Sequence, residues 1–139
     1  MHHLPLTSED MELIRAAEET LRRAYVPDRH TVAAAVRAGS GRIYTGVNIE
    51  GIHGPCAEPV ALGNAFAHGE RDILAMVAVH RAENGYTVLS PCGNCRQLIL
   101  EYAPDAHVIL VEDGRVVKAL AHELLPGAYH YFDHNATAE

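Results

Sequence analysis

The chain has 139 residues, of which 48% are hydrophobic and 21% charged, the balance of a globular protein with one hydrophobic core. Its formal charge is −7 and it has no run of lysines or arginines, which argues against a nucleic-acid polymer as partner. No apolar run approaches the roughly 18–20 residues that cross a bilayer, and "MHHLPLTSED" lacks the pattern of a secretory leader.

A single domain over residues 1–139, a cytoplasmic address and a flexible tail in the last few residues are therefore expected. Three cysteines make an odd count, and in a cytosolic chain clustered cysteines point to a metal or to catalysis rather than to disulfides.

"TSEDMELIRAAEETLRRAYVP" opens with a capping-box pattern, Thr7 with Asp10 three residues on. Met11, Ile14, Ala17, Leu21 and Tyr25 then fall near helical spacing until Pro27. "HTVAAAVRAGSGRIYTGVNIE" predicts two strands joined at Gly39-Ser40-Gly41. "CAEPVALGNAFAHGE" predicts a helix starting at Cys56, with Pro55 and Pro59 before or within its first turn, where proline is tolerated. "DILAMVAVHR" suits a buried central strand, "YTVLSP" a short approach to the cysteine pair, and "GNCRQLILEYA" a helix ended by Pro104. "AHVILVEDGRVVKAL" reads as a buried strand, an Asp113-Gly114 turn and a short extension, followed by a short helix in "AHELLPG" and the aromatic tail "AYHYFDHN". This alternation predicts an α/β fold: a three-layer α/β/α sandwich around a mixed five-stranded sheet. Both cysteine motifs then lie at strand-to-helix transitions, where open α/β sheets bind ligands.

Cys92 and Cys95 flank one helical turn in "SPCGNCRQ", and Cys56 starts another helix in "GPCAEP". Three sulfurs can hold one zinc ion per chain and leave a fourth position open for water, as a catalytic site requires. Plain buried cysteines and a redox pair are the rivals. A redox pair leaves Cys56 and Glu58 without a role. Glu58, two residues after Cys56, can overhang the open position and move protons, although a first-turn glutamate is also favoured by the helix dipole alone. Three thiolates with Zn²⁺ leave a net charge of −1, so Arg96, next to Cys95, is a candidate counter-charge beside two helix N-termini. His53 either lines the pocket or lies in a surface loop. Tyr129, Tyr131 and Phe132 suit a pocket wall or an interface.

"PCAE" followed by "SPCGNCRQ" resembles the zinc-dependent cytidine deaminase superfamily, and the likeness runs from "RRAYVPD" through "GRIYTGVNIE" to "ELLPGAY". Within it the chain looks like the small three-cysteine branch of cytidine deaminases and blasticidin-S deaminases. The resemblance implies zinc on Cys56, Cys92 and Cys95, and a zinc-activated water that attacks the amine-bearing C4 of a pyrimidine. It makes Glu58 the shuttle that protonates the ring nitrogen and then the departing amine. It also implies a sugar hydroxyl held by Asn48 and Glu50, the Ala57 backbone facing the base, and a homotetramer whose aromatic tail closes a neighbour's pocket. This chain departs from the cytidine deaminase pattern in three places. Only five residues separate Glu50 from Cys56, Pro59 stands where an arginine is usual, and "DRHTVAAA" lacks the expected phenylalanine. "GPCAEPVALG", "SPCGNCRQ" and "ELLPGAY" lie nearer the blasticidin-S deaminases, whereas Glu50 is the cytidine-type sugar anchor.

Overall fold

Helix α1 (Ser8–Ala24) starts on a complete capping box, as the Thr7/Asp10 pair predicts. Thr7 Oγ1 accepts from the Asp10 N–H at 3.3 Å, and Asp10 Oδ2 accepts from the Thr7 N–H at 2.8 Å. The same carboxylate accepts from Lys118 Nζ at 2.7 Å, with both side chains 7% exposed or less, a link across 108 positions that the sequence does not announce. Leu13, Ile14, Ala17 and Leu21 face inward, while Met11 lies on the exposed side of the helix. The computed structural model describes residues 1–133; the expected flexible tail lies largely outside the described residues.

The hairpin appears as β1 (Val32–Ala38) and β2 (Ile43–Val47), antiparallel in register from Ala33–Val47 to Arg37–Ile43. Helix α2 (Ala57–Ala67) crosses to β3 (Ile73–Ala82), which pairs antiparallel with β1 along its length. β4 (Gly85–Val88) folds back on the second half of β3, and helix α3 (Gly93–Tyr102) crosses to β5 (His107–Glu112). β5 runs parallel to β3 through Ala75–His107 and Met76–Val108, and β6 (Arg115–Leu120) closes the sheet antiparallel to β5. A 3₁₀ turn at Ala121–Leu124 follows.

The sheet order is β2-β1-β3-β5-β6, the five-stranded mixed path expected, with β4 as a sixth strand on β3. "YTVLSP", read as a mere approach, becomes a strand because ten-residue β3 outlasts its pairing with β5 and leaves an edge for β4.

Alternating side chains divide the core into two layers. Ala33, Ala35, Ala75, Val77, Val79 and Ile109 pack under α1. Ala34, Val36, Met76, Ala78, Val108 and Leu110 pack with α2 and α3 on the other face. Alanine on both faces of β1 lets the helices come close. Each fully buried leucine, such as Leu13, Leu21 or Leu62, contributes about 2 kcal/mol relative to exposure. Because α2 and α3 share a face and both follow strands, their N-termini meet at one place.

Candidate metal centre and pocket

Cys56 is the N-cap of α2 and Cys92 the N-cap of α3, both with extended backbone and neither using its side chain to cap its helix. Cys95, in the first turn of α3, is buried, Cys56 is half-buried and Cys92 is exposed. Their sulfurs lie 3.7 Å apart for Cys56–Cys92 and 3.6 Å for Cys92–Cys95, with all three within 4.8 Å of one another. A tetrahedral zinc ion with Zn–S arms of about 2.3 Å sets sulfurs about 3.8 Å apart, so the residues present fit that ion. Among the described residues this is the one cluster of three or more metal-ligating side chains, and it supplies three ligands rather than four.

Three local devices hold the cluster. Gly46 of β2 abuts the α2 backbone so closely that an added Cβ would lie 2.5 Å from the Ala61 nitrogen. Ser90 clamps the chain before Cys92 to β5: its Oγ accepts from the Val111 N–H at 2.9 Å and donates to the Val111 carbonyl at 3.1 Å. The Ile49 N–H donates to the Pro55 carbonyl at 3.1 Å, closing the loop between Glu50 and Cys56. Only glycine fits at Gly54, where a Cβ would overlap the Ile49 carbonyl oxygen.

Glu58 is 4% exposed in the first turn of α2, and burial raises its carboxyl above the usual range, opposed in part by its own N–H and the Cys95 thiol. Burial, reinforced by Glu58 and the other sulfurs, pushes the Cys95 thiol far up. Burial and Cys92 also raise Cys56. Cys92 moves the other way: burial opposes ionisation, but N–H groups of Cys95 and Asn94 and the neighbouring thiols outweigh it. Three sulfurs this close cannot all ionise without a cation between them. A divalent ion removes that conflict.

A cleft of about 420 Å³ opens on the cluster, with Cys56, Cys92, Glu58, Ala57, Asn48 and Glu50 in its wall. A larger cavity, about 610 Å³, lies beside Arg37, Arg71 and Lys118, carries no thiol and shares no residue with this cleft. Asn48 is buried, and its Nδ2 donates to Glu50 Oε1 at 3.3 Å, so these two residues do converge.

The remaining candidates lie elsewhere. Arg96 donates from Nε to the Pro91 carbonyl at 2.8 Å and from a terminal nitrogen to the Leu124 carbonyl at 3.3 Å, and makes no hydrogen bond to a thiol among the described residues. Its hydrogen bonds tie backbone carbonyls before and after α3. His53 sits on the exposed Gly51–Gly54 turn, outside the cleft wall. The Tyr129 carbonyl accepts from Gln97 Nε2 at 2.7 Å, and Phe132 packs edge-on to Tyr102 at 5.7 Å; neither ring reaches the cleft of its own chain. Thr31 and Ser90 line the cleft unforeseen. The pattern "RHTV" gives no sign of Thr31, since a threonine opening a strand is ordinary.

The profile of the family described as "Cytidine and deoxycytidylate deaminase zinc-binding region" matches residues 7–111. The blasticidin-S deaminase of Bacillus cereus is 37% identical over 132 residues, covering 89% of this chain and 94% of that protein. The cytidine deaminase of Halalkalibacterium halodurans is 37% identical over 129 residues, covering 88% and 96%. The crystal structure of a cytidine deaminase from Burkholderia pseudomallei superposes with a TM-score of 0.73 at 32% identity, covering 89% of this chain and all of that one.

Proposed function

The chain belongs to the zinc-binding cytidine and deoxycytidylate deaminase family, and from that premise we propose that it hydrolyses the 4-amino group of cytidine or deoxycytidine to give the uracil nucleoside and ammonia. It is a zinc-dependent hydrolytic deaminase. The observation that carries the reading is the buried Glu58 carboxyl beside three convergent thiols at the floor of a nucleoside-sized cleft. Cys56, Cys92 and Cys95 hold the zinc, and a bound ion supplies Lewis acidity toward water at the open position. Glu58 does the proton work. Burial raises its carboxyl above the usual range, which suits a group that both takes and gives protons. It passes one proton from water to the ring nitrogen, then carries the proton of the new hydroxyl to the departing amino group, leaving a carbonyl and ammonia. Ala57, Asn48 and Glu50 line the cleft; under this reading the base lies against the Ala57 backbone and the sugar at the end formed by Asn48 and Glu50.

A second reading keeps the chemistry and changes the substrate to a blasticidin-like or otherwise modified cytosine nucleoside. The similarity to the Bacillus cereus blasticidin-S deaminase and the short Glu50-to-Cys56 loop favour it. Cytidine, deoxycytidine and blasticidin S, each offered to the purified zinc-loaded protein, separate the readings through ultraviolet absorbance and ammonia release. Turnover of none of them would sink both.

The proposal extends to a cytoplasmic homotetramer in pyrimidine salvage, with detoxification of a foreign nucleoside as the counterpart under the second reading. No described helix is long and apolar enough to cross a membrane. Exposed rings of Tyr102, Tyr131 and Phe132, in edge-to-face contact, supply apolar surface for association. Sedimentation velocity tests the assembly.

A further inference from the structure

The hydrogen bonds at the sugar end of the cleft can be followed atom by atom. Asn48 Oδ1 accepts from the N–H of Thr31 at 2.7 Å and of Val32 at 3.0 Å, which uses both its lone pairs. The amide orientation is therefore fixed, with Nδ2 facing Thr31 Oγ1 at 3.2 Å and Glu50 Oε1 at 3.3 Å. Both amide hydrogens are engaged. The Asn48 backbone is tied as well: its N–H donates to the Val32 carbonyl at 3.1 Å, and its carbonyl accepts from His30 Nδ1 at 2.8 Å. Asn48 is a strut that holds Thr31 and Glu50 side by side.

Two groups at this corner keep unused capacity. Glu50 offers acceptor oxygens and no donor. The Thr31 hydroxyl accepts from Asn48, and its own proton has no acceptor among the described residues. Thr31, Asn48 and Glu50 all line the cleft. A corner with one free donor beside free acceptors matches a ligand hydroxyl, which can accept from the first while donating to the second. An ether or a bare methylene matches only half of the arrangement.

We propose that Thr31 is a specificity-determining residue of this pocket: its hydroxyl donates to one sugar hydroxyl of the substrate, which donates in turn to Glu50, while Asn48 positions the two. The assignment rests on the cytosine-nucleoside reading above. It adds a direct contact at Thr31 and makes Asn48 a positioning residue.

The test compares wild type, Thr31→Val, Thr31→Ala and Thr31→Ser on cytidine and on its 2′-, 3′- and 5′-deoxy analogues. Zinc content and melting temperature are measured for each protein. Thr31→Val keeps the backbone N–H that Asn48 accepts but removes the Oγ1 that Asn48 Nδ2 donates to; that structural loss is read in the melting temperature and weighs equally on all four nucleosides. On cytidine the variant raises KM about three- to tenfold with little change in kcat, the loss of one hydrogen bond. The penalty is smaller on the one analogue lacking the shared hydroxyl than on the other three nucleosides, and Thr31→Ser restores wild-type behaviour. An equal penalty on all four nucleosides, or none on any, overturns the assignment; Thr31→Ala gives the same comparison if the valine variant folds poorly. A wild-type protein that turns over none of the four removes the function itself, and with it the ligand assigned to Thr31.

Discussion

Gly46→Ala should damage both stability and catalysis, although Gly46 touches neither metal nor substrate. An added Cβ would lie 2.5 Å from the Ala61 nitrogen and 2.8 Å from the Val60 carbonyl carbon, where ordinary contact begins at 3.4 Å. The gap must open by about 0.9 Å, and the closest atoms are backbone, so no rotamer change relieves the overlap. α2 must shift as a body or β2 must bend. Overpacking of this kind costs about 1–3 kcal/mol, a fall in melting temperature of roughly 4–12 °C for a chain of this size. The helix that moves carries Cys56 and Glu58 at its start, and misplacing a reacting group by about 1 Å costs on the order of 10²-fold in rate. Calorimetric melting, zinc content and the ultraviolet deamination assay read the three effects separately. Gly63→Ala is the matched control: that glycine is mid-α2 with nothing within 4 Å of a new Cβ, so it should stabilise by about 0.5–1 kcal/mol. A Gly46→Ala protein that melts and turns over like wild type would refute the claim that this contact positions the site.

Glu58→Gln should lower kcat by about 10²- to 10⁴-fold while zinc stays near one per chain; full activity in this variant would remove Glu58 from the chemistry, and a non-catalytic zinc module would show no turnover in the wild type either. Chelation of the zinc should abolish turnover and lower the melting temperature, with both restored by added Zn²⁺, because the ion ties the starts of α2 and α3 together through three sulfurs. Lys118→Met leaves the buried Asp10 carboxylate without its partner and should cost about 3–5 kcal/mol in a urea titration, with Asp10→Asn/Lys118→Met recovering part of the loss. Burial works against ionised Asp10, but the Lys118 and Thr7 hydrogen bonds prevail and hold it below the usual carboxylate value. Its folded value being depressed, this stability is present above the unfolded value, about pH 4, and is lost as pH falls through the folded one. The acid limb of a stability–pH curve should flatten in Asp10→Asn.

What the sequence made legible is what local pattern controls. The Thr7/Asp10 box, the β1–β2 hairpin and the helix starts at Cys56 and Cys92 each depend on neighbours a few residues away. Cys56 lies 36 positions from Cys92, yet it was readable because both sit at strand-to-helix transitions on one face of a parallel crossover. β4 was not readable, because it is a strand only by virtue of the length of β3 left unpaired by β5. Lys118 was not either, since a lysine in an edge strand is normally solvated and only the capping residue Asp10 makes its burial tolerable. Thr31 escaped because its place in the cleft wall, beside Asn48 17 positions away, is created by the fold and not by any local pattern.

The charge on the thiolates is the point where sequence and structure part most usefully. Three thiolates around a dication leave one excess negative charge, and adjacency in sequence nominated Arg96 to offset it. In the structure its guanidinium bonds the Pro91 and Leu124 carbonyls, tying the residue before Cys92 to the 3₁₀ turn. Adjacent residues on a helix point about 100° apart, so following Cys95 does not aim Arg96 at the sulfurs. Backbone N–H groups at the two helix starts also carry partial positive charge toward the sulfurs. They act unequally. Cys92 receives N–H donors from Asn94 and Cys95 and is pulled toward ionisation, whereas the third residue of α2 is Pro59, which has no N–H to offer Cys56. Cys56 accordingly moves the opposite way, under burial and its sulfur neighbour. A proline in a helix's first turn is harmless to the helix, but here it removes one donor from a thiolate site. Arg96 meanwhile ties the residue before Cys92 to the 3₁₀ turn through two backbone carbonyls.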